Sequence, residues 1–401
     1  MEINRPTLFI EINDTNYIFV VGTYDENQNL EINEKIIAPS TGIDKNKFVS
    51  IDNANEEIKK NIGIIEKKLN YIFKDVTVVI DNFDYSCINI SGFKKLNGSQ
   101  VLKENISYIL NSLKLAISEN EKKKTILHIF NSKSILDGIS IENLPIGLFG
   151  DFYSHELTFF LIDNNDMKNI KQVFNKNNLT IKKILIKNFI EGTQIINQNK
   201  NKIETFYKIK INKDRSHISF FDKASFRYEE YFNFGTSIIF KDISKVCSIK
   251  NETIVKILSD KFLVNKKLEN DNEFLEEKYF DNDSYRKIRK KLIIDIVNAR
   301  IEEITNIILK KNINIESLNK NNAKIFLIIE DQLIFDNFQK NFKFYISQKY
   351  NFEPHLINNF QIDSSIVSAA YLSAYGWKKE AVPVTQTKNS LITRIFKSIF
   401  E

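Results

Sequence analysis

Hydrophobic and polar positions alternate in two different periods along this chain, and the periods change at clear boundaries. Thr7–Ile12 (TLFIEI) and Tyr17–Val21 (YIFVV) are β-rich runs around a short polar turn, Asn13–Asn16, which predicts a hairpin at the start. Asp52 then precedes Ile58, Ile62, Ile65 and Leu69, whose steps of three and four predict a helix capped at Asp52. Val76–Ile80 reads as a short apolar strand. Ser99–Ser118 reads as a helix with Leu102, Ile106, Ile109, Leu113 and Ile117 on one side. Strands follow at Thr125–Phe130 and Ser154–Ile162, a helix at Met167–Phe174, a strand at Ile181–Ile186, and a helix from Phe189.

The second half repeats this order in part. It has strands at Thr205–Ile211 and His217–Phe221, and helical segments at Thr236–Val246 and Glu252–Leu258. A polar, acidic stretch (Leu268–Asp283) leads into a long helix, Tyr285–Leu309. A strand at Ala323–Ile329 and a helix at Ser364–Tyr375 complete the core. Two α/β halves, each opening with a hairpin, predict a duplicated architecture with a cleft between the halves. The repetition lies in element order; no internal sequence similarity accompanies it.

The end of the chain has a third character. Lys378–Asn389 carries a proline, little helical period and no core-facing stripe, and reads as a tether. Ser390–Glu401 (SLITRIFKSIFE) is amphipathic at about 100° per residue. Leu391, Ile392, Ile395, Phe396, Ile399 and Phe400 share one half, while Arg394, Lys397, Ser398 and Glu401 take the other. Such a helix can lie in a headgroup layer with its cations on anionic lipids. The bland alternative is a helix docked on its own core.

Composition narrows the class. The chain has 401 residues, enough for two or more cores, and 42% of them are hydrophobic. The net charge of +6 is interspersed rather than clustered, which argues against a nucleic-acid partner. Cys87 and Cys247 are distant in sequence, and His128, His155, His217 and His355 lack ligand spacing, so neither a disulfide framework nor a metal centre is expected. No stretch reaches the roughly 20 apolar residues of a spanning helix, and the N-terminus reads directly into a strand. A cytosolic protein that touches membrane by its tail is the expectation.

Five blocks, in order, resemble the bacterial cell division protein family FtsA. ILHIF from Ile126 is followed by LDG (Leu136–Gly138), PIGLFG (Pro145–Gly150) and His155–Thr158. This is similar to the family's "ILH", "DG", "PIGMSG" run in its inserted SHS2 or 1C subdomain. Alone, PIGLFG could be a plain turn. Ala38–Asp52 (APSTGIDKNKFVSID), Phe234–Val246 (FGTSIIFKDISKV) and Ile293–Ile304 (IIDIVNARIEEI) resemble further family blocks, and the tethered amphipathic tail is the fifth.

The resemblance implies an α/β, actin-like fold of ribonuclease H-like duplicated halves, with an FtsA-type SHS2/1C subdomain and a C-terminal amphipathic helix. It implies subdomain 1A at 1–81 and 160–202, 1C at 82–159, 2A at 203–233 and 320–377, 2B at 234–319, a linker at 378–389 and a membrane-targeting helix at 390–401. The implied function is a division scaffold that self-associates and tethers the FtsZ C-terminal peptide to the inner membrane at the division site. Downstream division proteins would meet subdomain 1C. Arg300 and Glu303 on the "AR" helix are the implied partner contacts, with Lys287, Arg289, Lys290 and Lys291 adding positive potential. Arg300 also lies on the row of Ile293, Val297 and Ile304, where it could instead pair with Glu303.

Three turns depart from the family pattern. Glu11–Ile12–Asn13–Asp14 stands where the family has DIGT, without a glycine to let backbone approach phosphate. Lys210 falls on the acidic position of the second phosphate loop, and Glu330–Asp331–Gln332 on the adenosine loop's TGG. Two readings follow. The nucleotide site is degenerate, with weak or no ATPase activity. Alternatively, ATP with magnesium is kept through rearranged contacts to Lys210, Lys213 or Arg215, with Asn13, Asp14, Gly235 and Thr236 as cofactor-binding candidates. An adaptor of another membrane machine, such as pilus assembly, is a further alternative.

Overall fold

A computed structural model describes residues 5–26, 29–44, 47–260, 273–281, 283–317, 323–350, 354–357 and 361–383. The amphipathic segment 390–401 lies outside these residues, as does the tether after Pro383. Contacts divide the chain into two units. One comprises the chain up to Glu204, the segment Phe221–Tyr228 and the chain from Phe360 onward; the other comprises Thr205–Phe220 and Glu229–Asn359.

The first unit opens with β1 (Thr7–Ile12), β2 (Asn16–Tyr24) and β3 (Leu30–Pro39), an antiparallel meander. β1 and β2 are buried almost throughout, which is why they read as apolar runs. β3 alternates charged and apolar residues at the sheet edge, which hid it from the hydrophobic pattern. A small ribbon, β4 (Ile43–Asp44) and β5 (Lys47–Phe48), leads to α1 (Ile51–Leu69). The cap of α1 is Ser50, not Asp52. Ser50 is extended (φ −145°) and its hydroxyl accepts from the amide of Asn53, leaving Asp52 in the first turn to pair with Lys176 at 2.7 Å.

β6 (Asp75–Ile80) lies parallel to β1. An inserted module follows: β7 (Tyr85–Lys95), α2 (Lys103–Asn120), β8 (Lys124–Leu136), β9 (Ile139–Ile141) and β10 (Phe152–Asp163). Its strands form their own antiparallel sheet, over which Ile109, Leu113 and Ile117 of α2 pack on Tyr153, Leu157, Phe159 and Leu161. Gly92 permits the approach, since a Cβ there would stand 2.6 Å from Cγ2 of Ile109. The chain returns through α3 (Asn164–Lys176) to β11 (Thr180–Ile186), parallel to β6, and then α4 (Lys187–Gln198). The main sheet thus has the order β3-β2-β1-β6-β11.

The module holds an unusual buried group. His155 on β10 is 1% exposed, and neither ring nitrogen has a hydrogen-bond partner among the described residues. Burial alone pushes its pKa down from 6.5 to about 4. Below pH 6.5 the unfolded chain therefore binds a proton that the folded chain resists, and folding stability falls between those two values. His155→Leu is expected to remove this acid-side loss, about 3 kcal/mol at its limit. Urea unfolding at pH 4.5 and pH 7.5 measures it; an unchanged pH slope in the variant would refute it.

The second sheet is built on β12 (Phe206–Ile211), β13 (Ser216–Asp222) and β14 (Ser225–Phe232), of which Phe221–Tyr228 are counted with the first unit. Next come α5 (Ser237–Cys247), α6 (Asn251–Ser259), α7 (Lys290–Thr305) and α8 (Ile313–Ser317). β15 (Lys324–Ile329) lies parallel to β12, followed by α9 (Gln332–Tyr350) and β16 (His355–Leu356), which is parallel to β15. The sheet order is β14-β13-β12-β15-β16. Meander, first parallel neighbour and second parallel neighbour recur in the same places as in the first unit, so the duplication expected from element order exists in the topology. The predicted helix from Tyr285 starts instead at Lys290. Leu275 donates to the carbonyl of Ile288, and Phe274 bridges Arg289, so the preceding residues are extended.

The last described elements belong to the first unit. α10 (Ile362–Tyr375) ends at Gly376, whose φ of 72° suits glycine. β17 (Glu380–Pro383) then adds antiparallel to β8, closing the edge of the inserted sheet. The expected linker from Lys378 is therefore docked at its start. Strand pairing and a buried Glu380 side chain hold it.

Candidate functional site

Ligands of open parallel sheets gather at the carboxyl ends of the strands. In the first unit those ends carry Glu11 from β1, Asp81 after β6, and Lys187 at the start of α4 after β11. All three are buried, at 3%, 7% and 6% exposure. The Lys187 ammonium pairs with the Glu11 carboxylate. Burial works against its charge, but Glu11, then Glu191 and Asp81, outweigh it, so its pKa lies above the usual value. A lysine of the chain itself thus supplies the positive charge among these carboxylates.

The neighbouring turn is closed in the same way. The side-chain oxygen of Asn13 accepts from the amides of Thr15 (3.1 Å) and Asn16 (2.8 Å) and from the Thr15 hydroxyl (3.1 Å). The Asp14 carbonyl accepts from the Ser40 hydroxyl at 2.6 Å. The amides that could cradle a phosphate here are bonded to the turn's own side chain.

The corresponding ends in the second unit tell the same story. Lys210 of β12 pairs with Glu330, just after β15, at 2.7 Å. Gly235 sits against the β12–β13 turn, where a Cβ would stand 2.1 Å from the carbonyl oxygen of Asn212. Beyond it, Thr236 donates its amide to Asn212 (3.0 Å) and Ser237 its amide to Lys213 (2.8 Å). The helix N-terminus proposed for phosphate thus faces the chain's own carbonyls. The Thr236 hydroxyl donates to Asp331 at 3.1 Å, and Asp331 caps α9 through the amide of Ile334 (3.1 Å). Arg215 lies over the Tyr231 ring, 4.7 Å from its centroid.

A magnesium-bound nucleotide needs free amides and carboxylates open to a cation. The residues at these ends do not fit that need within either unit. Asn13, Gly235 and Thr236 meet the chain's own groups here, and the Asp14 carbonyl is bonded by Ser40. Among the described residues no cluster of three His, Cys, Asp or Glu side chains could hold a metal. Lys187 escaped the sequence reading because only the sheet order brings β11 beside β6 and so near Glu11.

Arg300 on α7 is about three-quarters covered. Its guanidinium bonds Asp242 of α5 and Glu303 one turn along. The hydrogen bond to Asp242 raises its pKa further. It acts as a strut between two helices, with Glu303 as one of its partners. Of the basic residues before it, Lys290 pairs with Glu273 at 3.2 Å and Lys287 lies over the Phe274 ring.

No family model matches the chain. It is 21% identical over 301 residues to the cell division protein FtsA of Buchnera aphidicola subsp. Schizaphis graminum, covering 75% of this chain and 71% of that protein. It is 20% identical over 321 residues to the FtsA of Buchnera aphidicola subsp. Acyrthosiphon pisum, covering 80% and 76%. Among solved structures it resembles a chain of a PilM–PilN type IV pilus biogenesis complex. That match has a TM-score of 0.53 at 8% identity and covers 93% of this chain and 97% of that one. The fold is actin-like α/β. Within it, no helix among the described residues is long and apolar enough to cross a membrane.

Proposed function

We propose that the chain is an FtsA-like scaffold that works by binding and self-association, holding an FtsZ C-terminal peptide at the cytoplasmic face of the inner membrane. The observation that carries this reading is the sequence similarity to two proteins named FtsA across at least 75% of the chain. The amphipathic pattern of Leu391–Phe400 supports the membrane part. In this reading the inserted module β7–β10 is the 1C subdomain and recruits downstream division proteins, while α5–α8 belong to subdomain 2B. The self-satisfied turns around Asn13 and Gly235, and the lysines among the carboxylates, favour a scaffold with weak or no ATPase activity over a hydrolysing one. The likeness to the PilM–PilN chain shows the fold alone and does not favour a pilus role.

A single short amphipathic helix binds weakly and reversibly. Copies joined on one surface gain avidity, so membrane residence would report assembly. Deleting 390–401, or Phe396→Glu, is expected to abolish co-sedimentation with anionic vesicles. Undiminished binding by the truncated chain would sink the tether. Capture on an immobilised FtsZ C-terminal peptide tests the partner, with Arg300→Glu expected to weaken it if Arg300 leaves its strut to meet carboxylates.

A further inference from the structure

The cavity beside β17 belongs to none of the sites above. It has a volume of about 300 Å³, at the small end of ligand pockets. Ser132, Lys133 and Ser134 of β8 line one wall, Glu142 another, and Lys378 and Lys379 at the entry to β17 a third. Its lining residues are polar or charged apart from Leu144.

Cations exceed anions here. Lys378 pairs with Glu204. Lys379 is half-buried and donates to the backbone carbonyl of Glu142 at 2.9 Å. Lys133 is exposed and has no ion pair among the described residues. Burial, with Lys378 and Lys223 adding to it against Glu142 and Glu204, pushes the Lys379 pKa down. A half-buried ammonium beside other ammonium groups is stabilised by an incoming anion. Lysine is a point charge with rotatable donors and suits a phosphate.

The cavity also lies close in sequence to the amphipathic segment. Lys379 in its wall stands eleven residues before Ser390. Eleven extended residues span at most about 40 Å. A tail lying in a headgroup layer would keep this cavity within that reach of lipid phosphates.

We propose that the cavity binds a phosphate-bearing anion, either the headgroup of an anionic lipid or a free phosphate ester. The lipid source rests on the tether reading; the anion site does not.

The test uses the full chain at constant ionic strength, with chloride as the control. Glycerol 3-phosphate and inorganic phosphate are titrated while Tm is followed. A saturable rise is expected, weakened tenfold or more in Lys133→Gln and in Lys379→Gln. Lys133 is exposed, so its variant keeps the fold even if Lys379→Gln does not. Vesicles of phosphatidylglycerol and of phosphatidylcholine then separate the sources. Several-fold weaker phosphatidylglycerol binding by Lys133→Gln, with the tail intact, assigns the lipid headgroup. Unchanged vesicle binding with a lost glycerol 3-phosphate shift assigns the free ester. If neither phosphate compound raises the Tm of the unaltered chain beyond chloride, the proposal is wrong. Tail deletion that spares vesicle binding counts against the tether alone.

Discussion

Lys187→Met is expected to remove about 3–5 kcal/mol of folding stability from the first unit. The variant keeps most of the unbranched side chain and removes its charge. Glu11, Asp81 and Glu191 then remain buried together without the cation that offsets their repulsion. An isolated buried carboxylate is costly, and three near one another are worse. The chain has one tryptophan, Trp377, which is 9% exposed and donates to the carbonyl of Ala224 at 2.7 Å. Its fluorescence therefore reports unfolding of the first unit in urea. Adding magnesium should not change the stability of the unaltered chain, because its own ammonium already holds the place of a cation. A loss below about 1 kcal/mol would show that the carboxylates are hydrated, contrary to their burial.

Glu380→Ala is expected to have a similar effect, about 3–5 kcal/mol, for a different reason. The Glu380 carboxylate accepts from His128 Nδ1 at 2.8 Å and from the Lys183 ammonium at 3.3 Å. Lys183 also donates to the Leu372 carbonyl at 2.9 Å. These side chains are 2%, 1% and 8% exposed for Glu380, His128 and Lys183, so removing the acid strands a buried cation. Burial raises the Glu380 pKa, but the bonds and charges of His128 and Lys183 outweigh it, and the net value is lowered. A depressed carboxylate contributes stability above its unfolded pKa and loses it as pH falls through the folded one. The gap between Glu380→Gln and the unaltered chain should therefore be full above about pH 4.5 and close below it. Loss of β17 has a local signature as well. The Asn131 amide donates to the Lys379 carbonyl at 2.7 Å, so its hydrogen exchange should quicken in the variant. Unchanged exchange there, with unchanged stability, would falsify the role of Glu380 as the clasp of the last strand.

Both clusters join residues that lie far apart in sequence: Glu11 with Lys187, and His128 and Lys183 with Glu380. A hydrophobic pattern reports only what lies within a few turns or one strand. It located the β1–β2 hairpin, whose strands are buried on both faces, and α1 and α2, which each bury one continuous face. It missed β3 and β7, edge strands whose exposed faces mix polar, charged and apolar residues. It also missed α9, although Ile334, Phe338, Phe342 and Ile346 recur every four residues and are buried.

The lost glycines of the three turns were legible directly, since glycine alone relieves close backbone approach. What replaced them was not. Asn13 filling its own turn, Lys210 facing Glu330 and Thr236 facing Asp331 follow from which strands are neighbours, and sheet order is a property of the whole chain. Arg300 shows the same division. Its helix and its i+3 partner Glu303 were readable, whereas Asp242 required the packing of α5 on α7. By itself, then, the sequence determined the periodic elements, the missing glycines of the three turns and the amphipathic pattern of Ser390–Glu401, because each depends on local spacing. Tertiary structure alone decided which buried charges meet and that the last strand is clasped to the inserted sheet, because those pairings exist only once distant strands lie side by side.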